Sequence, residues 1–571
     1  MNAVMAQSPL TNSTPSRPMT TVAGYLLTRL AEAGLASVFG VPGDYNLPIL
    51  DAIAGRPELA WIGMATEQGA GYAADSYARL RGIGALVTTF GVGELSAINA
   101  IAGAYAESVP VVHIVGTPAL TARDDDVTLH HNLPGGDYGH FARMAAEVTA
   151  AQADLRPDTA PEEIDRVLSI ALRTSRPVYL TIPANVATAS VPAPMGRLPQ
   201  IGQDPDPAVL AAFAAHVRRV LGPADRVSVL VGHLAARRGV TDQVRDLAVA
   251  GNLPVAVVSA AKGDFPESDP RFAGLYAGPS SVKRARLAVE DADVLIMVGV
   301  TLADTVLGGA HRPPGTRRID LGLQARIGDV TYPGVDLREA LTALTEAVRP
   351  VPPRADLAGL PAWETSAASD GRDRKLTQAS LWARVQDFLR PGDLLIADQG
   401  TAFYGAAELT LPDGAHLVGQ PMWASIGWTL PGALGVSLAA PDRRVILVAG
   451  DGAMQQTAAE LGSLLGQGLT PVVIVINNGG YTIERTIHRP DAGYHEIPAW
   501  DWTQWPAAVA PESSTVTLRA SSSHGLALAL NAASHHADTG RPVLIEAVLG
   551  ADDAPPLLQD LTRALAAPAN G

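Results

Sequence analysis

The chain is 571 residues long, which exceeds one hydrophobic core and suits about three domains. Apolar residues make up 47% of it, charged residues 17%, and 42 basic against 57 acidic side chains leave a formal charge of −15. That balance excludes a disordered chain and a nucleic-acid partner, and the absence of cysteine excludes disulfides, thiol nucleophiles and thiolate metal sites.

In chain order, residues 1–20 are rich in Ser, Thr and Pro, lack the apolar centre of a signal peptide, and are expected to form a disordered tail. No later run is long enough to span a bilayer, so no membrane partner and a cytoplasmic location are expected. From Thr21 helical periodicity alternates with short apolar runs: a helix to Gly34, a strand at Ser37–Gly40, a helix at Glu67–Arg81, and strands at Ala85–Phe90 and Val109–Val115. A second series, with strands at Val227–Val231, Val255–Val258 and Val294–Val298, carries no Gly-rich phosphate loop. The Pro- and Ala-rich stretch after it reads as a linker. A third series has strands at Leu394–Ala397, Val445–Ala449 and Pro471–Ile476, and a helical tail at Leu557–Ala566. The expected fold class is α/β, as three consecutive parallel-sheet domains at 21–195, 196–350 and 375–571, with 351–374 as linker.

The third series carries the most informative pattern. Gly450-Asp451-Gly452 follows one apolar run and Asn477-Asn478 the next, so both polar clusters fall at the carboxyl ends of strands, where open α/β sheets bind ligands. A crossover helix over Gln456–Gly468, with its N-terminal amides near Gly452 and Ala453, suits a diphosphate. Asp451 and Asn478 offer the hard oxygens that magnesium prefers. By contrast, Gly91-Val-Gly93-Glu-Leu-Ser96 lacks the third glycine of a dinucleotide fingerprint.

In the first series Asp44 lies in the turn Val38-Phe-Gly-Val-Pro-Gly-Asp-Tyr-Asn46, Glu67 follows Trp61–Met64, and His130-His131 lies beyond a polar loop, Ala122–Asp126. Singly, each is an ordinary surface acid, helix-starting Glu or loop histidine.

Together these residues resemble the thiamine diphosphate-dependent 2-keto acid decarboxylases, over nearly the whole chain after the tail. The resemblance is strongest to the indolepyruvate and broad 2-keto acid branch. It is carried by Phe39–Asn46, Tyr72-Ala-Ala-Asp75, Thr88–Ala97, Gly419-Gln-Pro-Met-Trp423 and Gly480-Tyr-Thr-Ile-Glu-Arg485. It implies pyrimidine-binding, middle and diphosphate-binding domains, and a homodimer or dimer of dimers in which the first and third domains of different subunits meet. It implies thiamine diphosphate and Mg2+ as cofactors, with the metal on Asp451, Asn478 and the carbonyl of Gly480, and with Thr401, Gly452 and Ala453 around the diphosphate. Ile426 would bend the cofactor, the Ala424 carbonyl would orient its amine, and Glu67 would hydrogen-bond its pyrimidine ring. Asp44, His130, His131 and Glu484 would form the catalytic polar wall, and Phe403, Ile483 and Ile487 the substrate pocket. The implied reaction converts 2-keto acids, with indolepyruvate, phenylpyruvate and branched-chain members leading and pyruvate poorer, to aldehyde and carbon dioxide.

Gly479, Gln456 and Asn132 depart from the family pattern and bear on substrate preference and cofactor affinity. Two other readings remain: a carboligase of the acetohydroxyacid synthase kind, which joins a second keto acid where a decarboxylase adds a proton, and a catalytically silent binding protein of the same fold. Product identity separates the first, and failure to bind thiamine diphosphate would favour the second.

Overall fold

A computed structural model of the chain describes residues 18–123, 128–198, 205–307, 317–363 and 374–566. The first sheet is wholly parallel, ordered Ala60–Gly63, Ser37–Gly40, Gly84–Thr89, Val111–Thr117, Val178–Pro183, Gln152–Asp154. The third is also parallel, ordered His416–Val418, Leu394–Ala397, Val445–Gly450, Val472–Asn477, Val543–Val548, Val516–Ala520. The middle sheet departs from the wholly parallel expectation: beyond Arg317–Leu321 it continues antiparallel through Ala325–Ile327 and Val330–Tyr332. Short loops there join neighbouring strands directly, without the helical crossover that a parallel pair needs.

Strands buried on both faces read as unbroken apolar runs. In the third sheet alternate residues serve different cores: Leu395, Ile446, Val448 and Ile474 pack with the middle domain, whereas Leu394, Val445, Leu447 and Val473 pack with the first. The helices Glu67–Arg81 and Thr429–Ala439 form the main contact between first and third domains, with Ser76 Oγ donating to Gly432 O at 2.8 Å.

Several expectations need correction. Met19 and Thr20, assigned to the tail, belong to the strand Met19–Thr21, which pairs antiparallel with Ser190–Pro192; residues 1–17 lie outside the described residues. Leu120–Arg123 is a short helix at the start of the expected polar loop, whose residues 124–127 also lie outside the description. The linker begins packed, with Leu357 buried and Trp363 stacked 5.1 Å from Phe272, while residues 364–373 are not described. The crossover expected at Gln456–Gly468 is two helices, Asp451–Gln456 and Glu460–Gly466. Thr457 leaves helical geometry between them and donates its hydroxyl to Gly427 O at 2.7 Å. No helix among the described residues is long and apolar enough to cross a membrane.

Candidate active site

In both outer sheets strand order reverses beside a central strand, Ser37–Gly40 against Gly84–Thr89 in the first and Leu394–Ala397 against Val445–Gly450 in the third. Such switch points open a crevice at the carboxyl edge, and the expected site residues fall at these two edges.

In the third domain the strand Val445–Gly450 runs directly into the helix that starts at Asp451, leaving this carboxylate 3% exposed. Its Oδ1 accepts from the Gly452 N–H at 2.8 Å and its Oδ2 from the Gly479 N–H at 2.7 Å. Burial raises its pKa, and the N–H groups of Gly479, Gly452, Gly480 and Asn478 offset part of the rise. Gly480 has φ +138°, and a Cβ there would stand 2.0 Å from the His495 carbonyl oxygen. Only glycine allows the turn to fold back so closely.

Asn478 determines the character of this corner. Its Nδ2 donates to Thr482 Oγ1 at 2.7 Å, and the Thr482 hydroxyl donates its single proton to Ala551 O, also at 2.7 Å. The opposite amide atom, the carbonyl oxygen, then lies 3.0 Å from Gly480 O and 3.2 Å from Asp451 Oδ1. Turning the amide over would convert these contacts into hydrogen bonds, but would set two acceptors against the one Thr482 proton. In the first orientation the three converging oxygens repel one another unless a cation lies between them. Separations of about 3 Å match neighbouring ligands of an octahedral ion with bonds of about 2.1 Å, so the residues fit Mg2+.

The segment beside this corner is held from several sides. Asp398, buried at the end of the strand Leu394–Ala397, accepts from the Gly427 and Thr429 N–H groups and from the Thr429 hydroxyl. Desolvation pushes its pKa up to about 6 despite these donors. Ala424 is left-handed at φ +58°, a conformation that persists only where surroundings impose it. Here the first-domain carboxylate of Glu107 accepts from the N–H groups of Met422 at 2.8 Å and Trp423 at 3.2 Å, just upstream. Ile426 is half-buried two residues further on. Thr401 and Ala453 are buried at helix starts, while Ile483, Ile487 and the exposed Glu484 share the helix Thr482–Ile487. Phe403, at 1% exposure, lies beneath Gly419 and edge-on to Tyr404. Gln399 stands at the strand end, its Nε2 donating to Tyr404 Oη at 3.0 Å and its Oε1 without a partner among the described residues.

In the first domain His130 Nε2 meets Asp44 Oδ2 at 2.7 Å, and Tyr45 supports the ring by stacking at 4.8 Å and through its hydroxyl 3.2 Å from Nδ1. His131, at φ +66°, places its ring edge-on to that of His130, with a buried Nδ1 that has no partner among the described residues. Ligand-capable atoms of Asp44, His130 and His131 all lie within 4.8 Å of one another. Glu67, half-buried, is the first residue of its helix, and a Cβ built on Gly93 would stand 3.3 Å from its Oε1. Thr66 caps that helix, and the buried Glu460 accepts from the Ala65 and Thr66 N–H groups and the Thr66 hydroxyl at 2.9–3.2 Å.

The structure thus gathers Asp44, His130 and His131 at one edge and Asp451, Asn478 and Gly480 at another. No hydrogen bond or ion pair among the described residues joins Asp44, Glu67, His130 or His131 to Asp451, Asn478, Gly480 or Glu484. Sequence reading missed Asp398, Gln399, Glu107 and Glu460. The first two follow an apolar strand, a usable signal; the others are acids at helix ends distinguished only by their burial.

A chain with these two edges, one lined by acid and imidazole and one by converging oxygens that fit Mg2+, has the architecture of a thiamine diphosphate-dependent enzyme. Family models agree: the N-terminal TPP binding domain of thiamine pyrophosphate enzymes matches residues 20–138, the central domain 214–326, and the C-terminal TPP binding domain 399–547. The chain is 44% identical over 550 residues to an alpha-keto-acid decarboxylase of Mycolicibacterium paratuberculosis, covering 96% of this chain and 97% of the relative. To proteins of the same description it is 44% identical in Mycobacterium ulcerans, covering 98% and 99%, and 43% in Mycobacterium tuberculosis H37Rv, covering 96% and 98%. The chain belongs to the thiamine diphosphate-dependent 2-keto acid decarboxylase family.

Proposed function

We propose that the protein removes carbon dioxide non-oxidatively from 2-keto acids and releases the aldehyde. The observation that carries this reading is the Tyr45–His130–Asp44 relay beside the unpartnered Nδ1 of His131, a proton source suited to completing an aldehyde. Thiamine diphosphate, when bound, supplies the carbon nucleophile and the electron sink that decarboxylation requires.

Asp451, Asn478 and the Gly480 carbonyl would hold Mg2+, and Gly452, Ala453 and Thr401 would line the diphosphate. Ala424, through its carbonyl, and Ile426, through its apolar side chain, would orient and support the cofactor, and the Glu67 carboxylate would hydrogen-bond its pyrimidine ring. His130 Nε2 shares a proton with Asp44 Oδ2, while Tyr45 fixes the ring, so proton delivery comes from a preset direction. Asp44, His130, His131 and Glu484 act as a set, so no proton-transfer step belongs to one of them alone. Ile483 and Ile487 form the apolar wall, which favours aromatic and branched-chain substrates such as indolepyruvate and phenylpyruvate over pyruvate. Methylene-sized contacts discriminate weakly, so the range is broad.

The two half-sites work together by pairing across subunits, the first domain of one chain meeting the third domain of its partner in a homodimer or a dimer of dimers. Co-expressing Glu67→Gln chains with Asp451→Ala chains tests this arrangement. A shared site restores about a quarter of wild-type turnover, because half the dimers are mixed and each has one intact site; a site within one chain restores none. The reaction is tested with a panel of 2-keto acids, with and without thiamine diphosphate and Mg2+. Aldehyde and carbon dioxide are the expected products, and a hydroxyketone as main product would make the protein a carboligase.

A further inference from the structure

Glu94 lies behind the catalytic edge of the first domain, 3% exposed, at the third position of the helix Val92–Ala106. Its Oε1 accepts from the Gly91 N–H at 2.7 Å, and the Tyr179 hydroxyl, from the strand Val178–Pro183, donates to its Oε2 at 2.5 Å. A buried carboxylate is costly and is retained here only with these donors.

The turn held by Glu94 touches both parts of the proposed catalytic set. Gly91 is left-handed at φ +65°, and a Cβ there would stand 2.0 Å from the His131 carbonyl oxygen, so the main chain of His131 rests directly on it. Two residues later Gly93 borders Glu67 Oε1, at 3.3 Å from its would-be Cβ. The span Gly91–Gly93 is therefore a spacer between Glu67 and the histidine pair, and Glu94 clamps it from the side of the strand Val178–Pro183.

We propose that Glu94, through Gly91 and with Tyr179 as its support, is a positioning residue that sets His131 relative to Glu67. This inference rests on the catalytic roles proposed above for those two residues. The titratable groups facing Glu94 are Tyr179 and, from the strand Val111–Thr117, His113, whose Nε2 is engaged with Thr88 Oγ1 at 3.0 Å. The helix His140–Ala146 faces it only with Phe141 and Ala145. Among the described residues, the further charges that act on Tyr179 are Asp154 and Arg123.

The experiment measures kcat, KM and retained thiamine diphosphate for Glu94→Ala, Glu94→Gln and Tyr179→Phe holoenzymes, beside Glu67→Gln and His131→Gln as references. Glu94→Ala should lower kcat about 10- to 100-fold with cofactor retention unchanged, since small misplacements of reacting groups cost that much. Glu94→Gln should stay within about threefold of wild type, because its amide oxygen still accepts from Gly91 and its NH2 can donate to the Tyr179 oxygen. Should Glu94→Ala fail to fold, Tyr179→Phe carries the test with a several-fold lower kcat at unchanged cofactor retention. Wild-type kcat in Glu94→Ala or Tyr179→Phe overturns the proposal, as does a Glu94→Gln loss equal to that of Glu94→Ala. Normal turnover in Glu67→Gln and His131→Gln would instead overturn the reading of the site.

Discussion

The middle and third sheets offer the same topological opportunity and use it differently. In the middle sheet strand order reverses between Val227–Val231 and Val294–Val298, but their following glycines press together: a Cβ on Gly232 would stand 2.3 Å from Gly299 O. In the third sheet nothing lies within 4 Å of a Cβ built on Gly450, and the oxygens of Asp451, Asn478 and Gly480 converge beside it. A switch point guarantees only a place where two connections diverge. Whether that place becomes a site depends on whether backbone fills it.

The comparison can be broken most severely at the first-domain edge, which should behave as the partner of the third-domain crevice. Glu67→Gln is expected to lower kcat about 10²- to 10⁴-fold with folding and Mg2+ dependence preserved, as measured by turnover and thermal unfolding. Near-normal turnover would remove that edge from the site. Asp451→Ala should weaken Mg2+-dependent cofactor retention about 100-fold, read by equilibrium dialysis, and unchanged retention would leave the oxygen cluster without a function.

Two smaller effects separate architecture from chemistry. Burial pushes the Glu94 pKa up to about 7 from an ordinary 4.5, outweighing the Tyr179 and Gly91 donors. The folded state therefore binds this proton more tightly than the unfolded chain. Its contribution to stability is complete below about pH 4.5 and is lost as pH rises through about 7, amounting to roughly 3 kcal/mol. Glu94→Gln should flatten that part of the stability profile in denaturant titrations at pH 5 and pH 8; identical slopes would refute the assignment. Gly232→Ala should destabilise by about 1–3 kcal/mol through backbone overlap, yet leave turnover per bound cofactor unchanged. A specific loss of turnover would show that the closed middle crevice is not inert.

Much of the candidate third-domain edge was legible because its signal is local. An apolar run ending in Gly450-Asp451-Gly452 and another ending in Asn477-Asn478 place their polar residues at strand ends whatever the surroundings. The helix Glu67–Arg81 was equally readable from its periodicity and was found at the expected residues. The crossover was misread because periodicity carries through Thr457–Ala459, where a contact with Gly427 interrupts the helix. The packing of Phe403 beneath Gly419 was not legible, because sequence position near a strand end does not state which way a side chain turns.

The sequence alone determined the α/β class, the order of the three sheets along the chain and the placing of Asp451 and Asn478 at strand ends, since each depends on periodicity or on neighbours within a few positions. Tertiary structure alone decided which switch point stayed open, how Glu460 and Glu107 of different domains hold the segments before Glu67 and Ala424, and that Glu94 turns inward to clamp Gly91. Those outcomes depend on burial and on close backbone approach between residues far apart in the chain, and a linear pattern of residue types encodes neither.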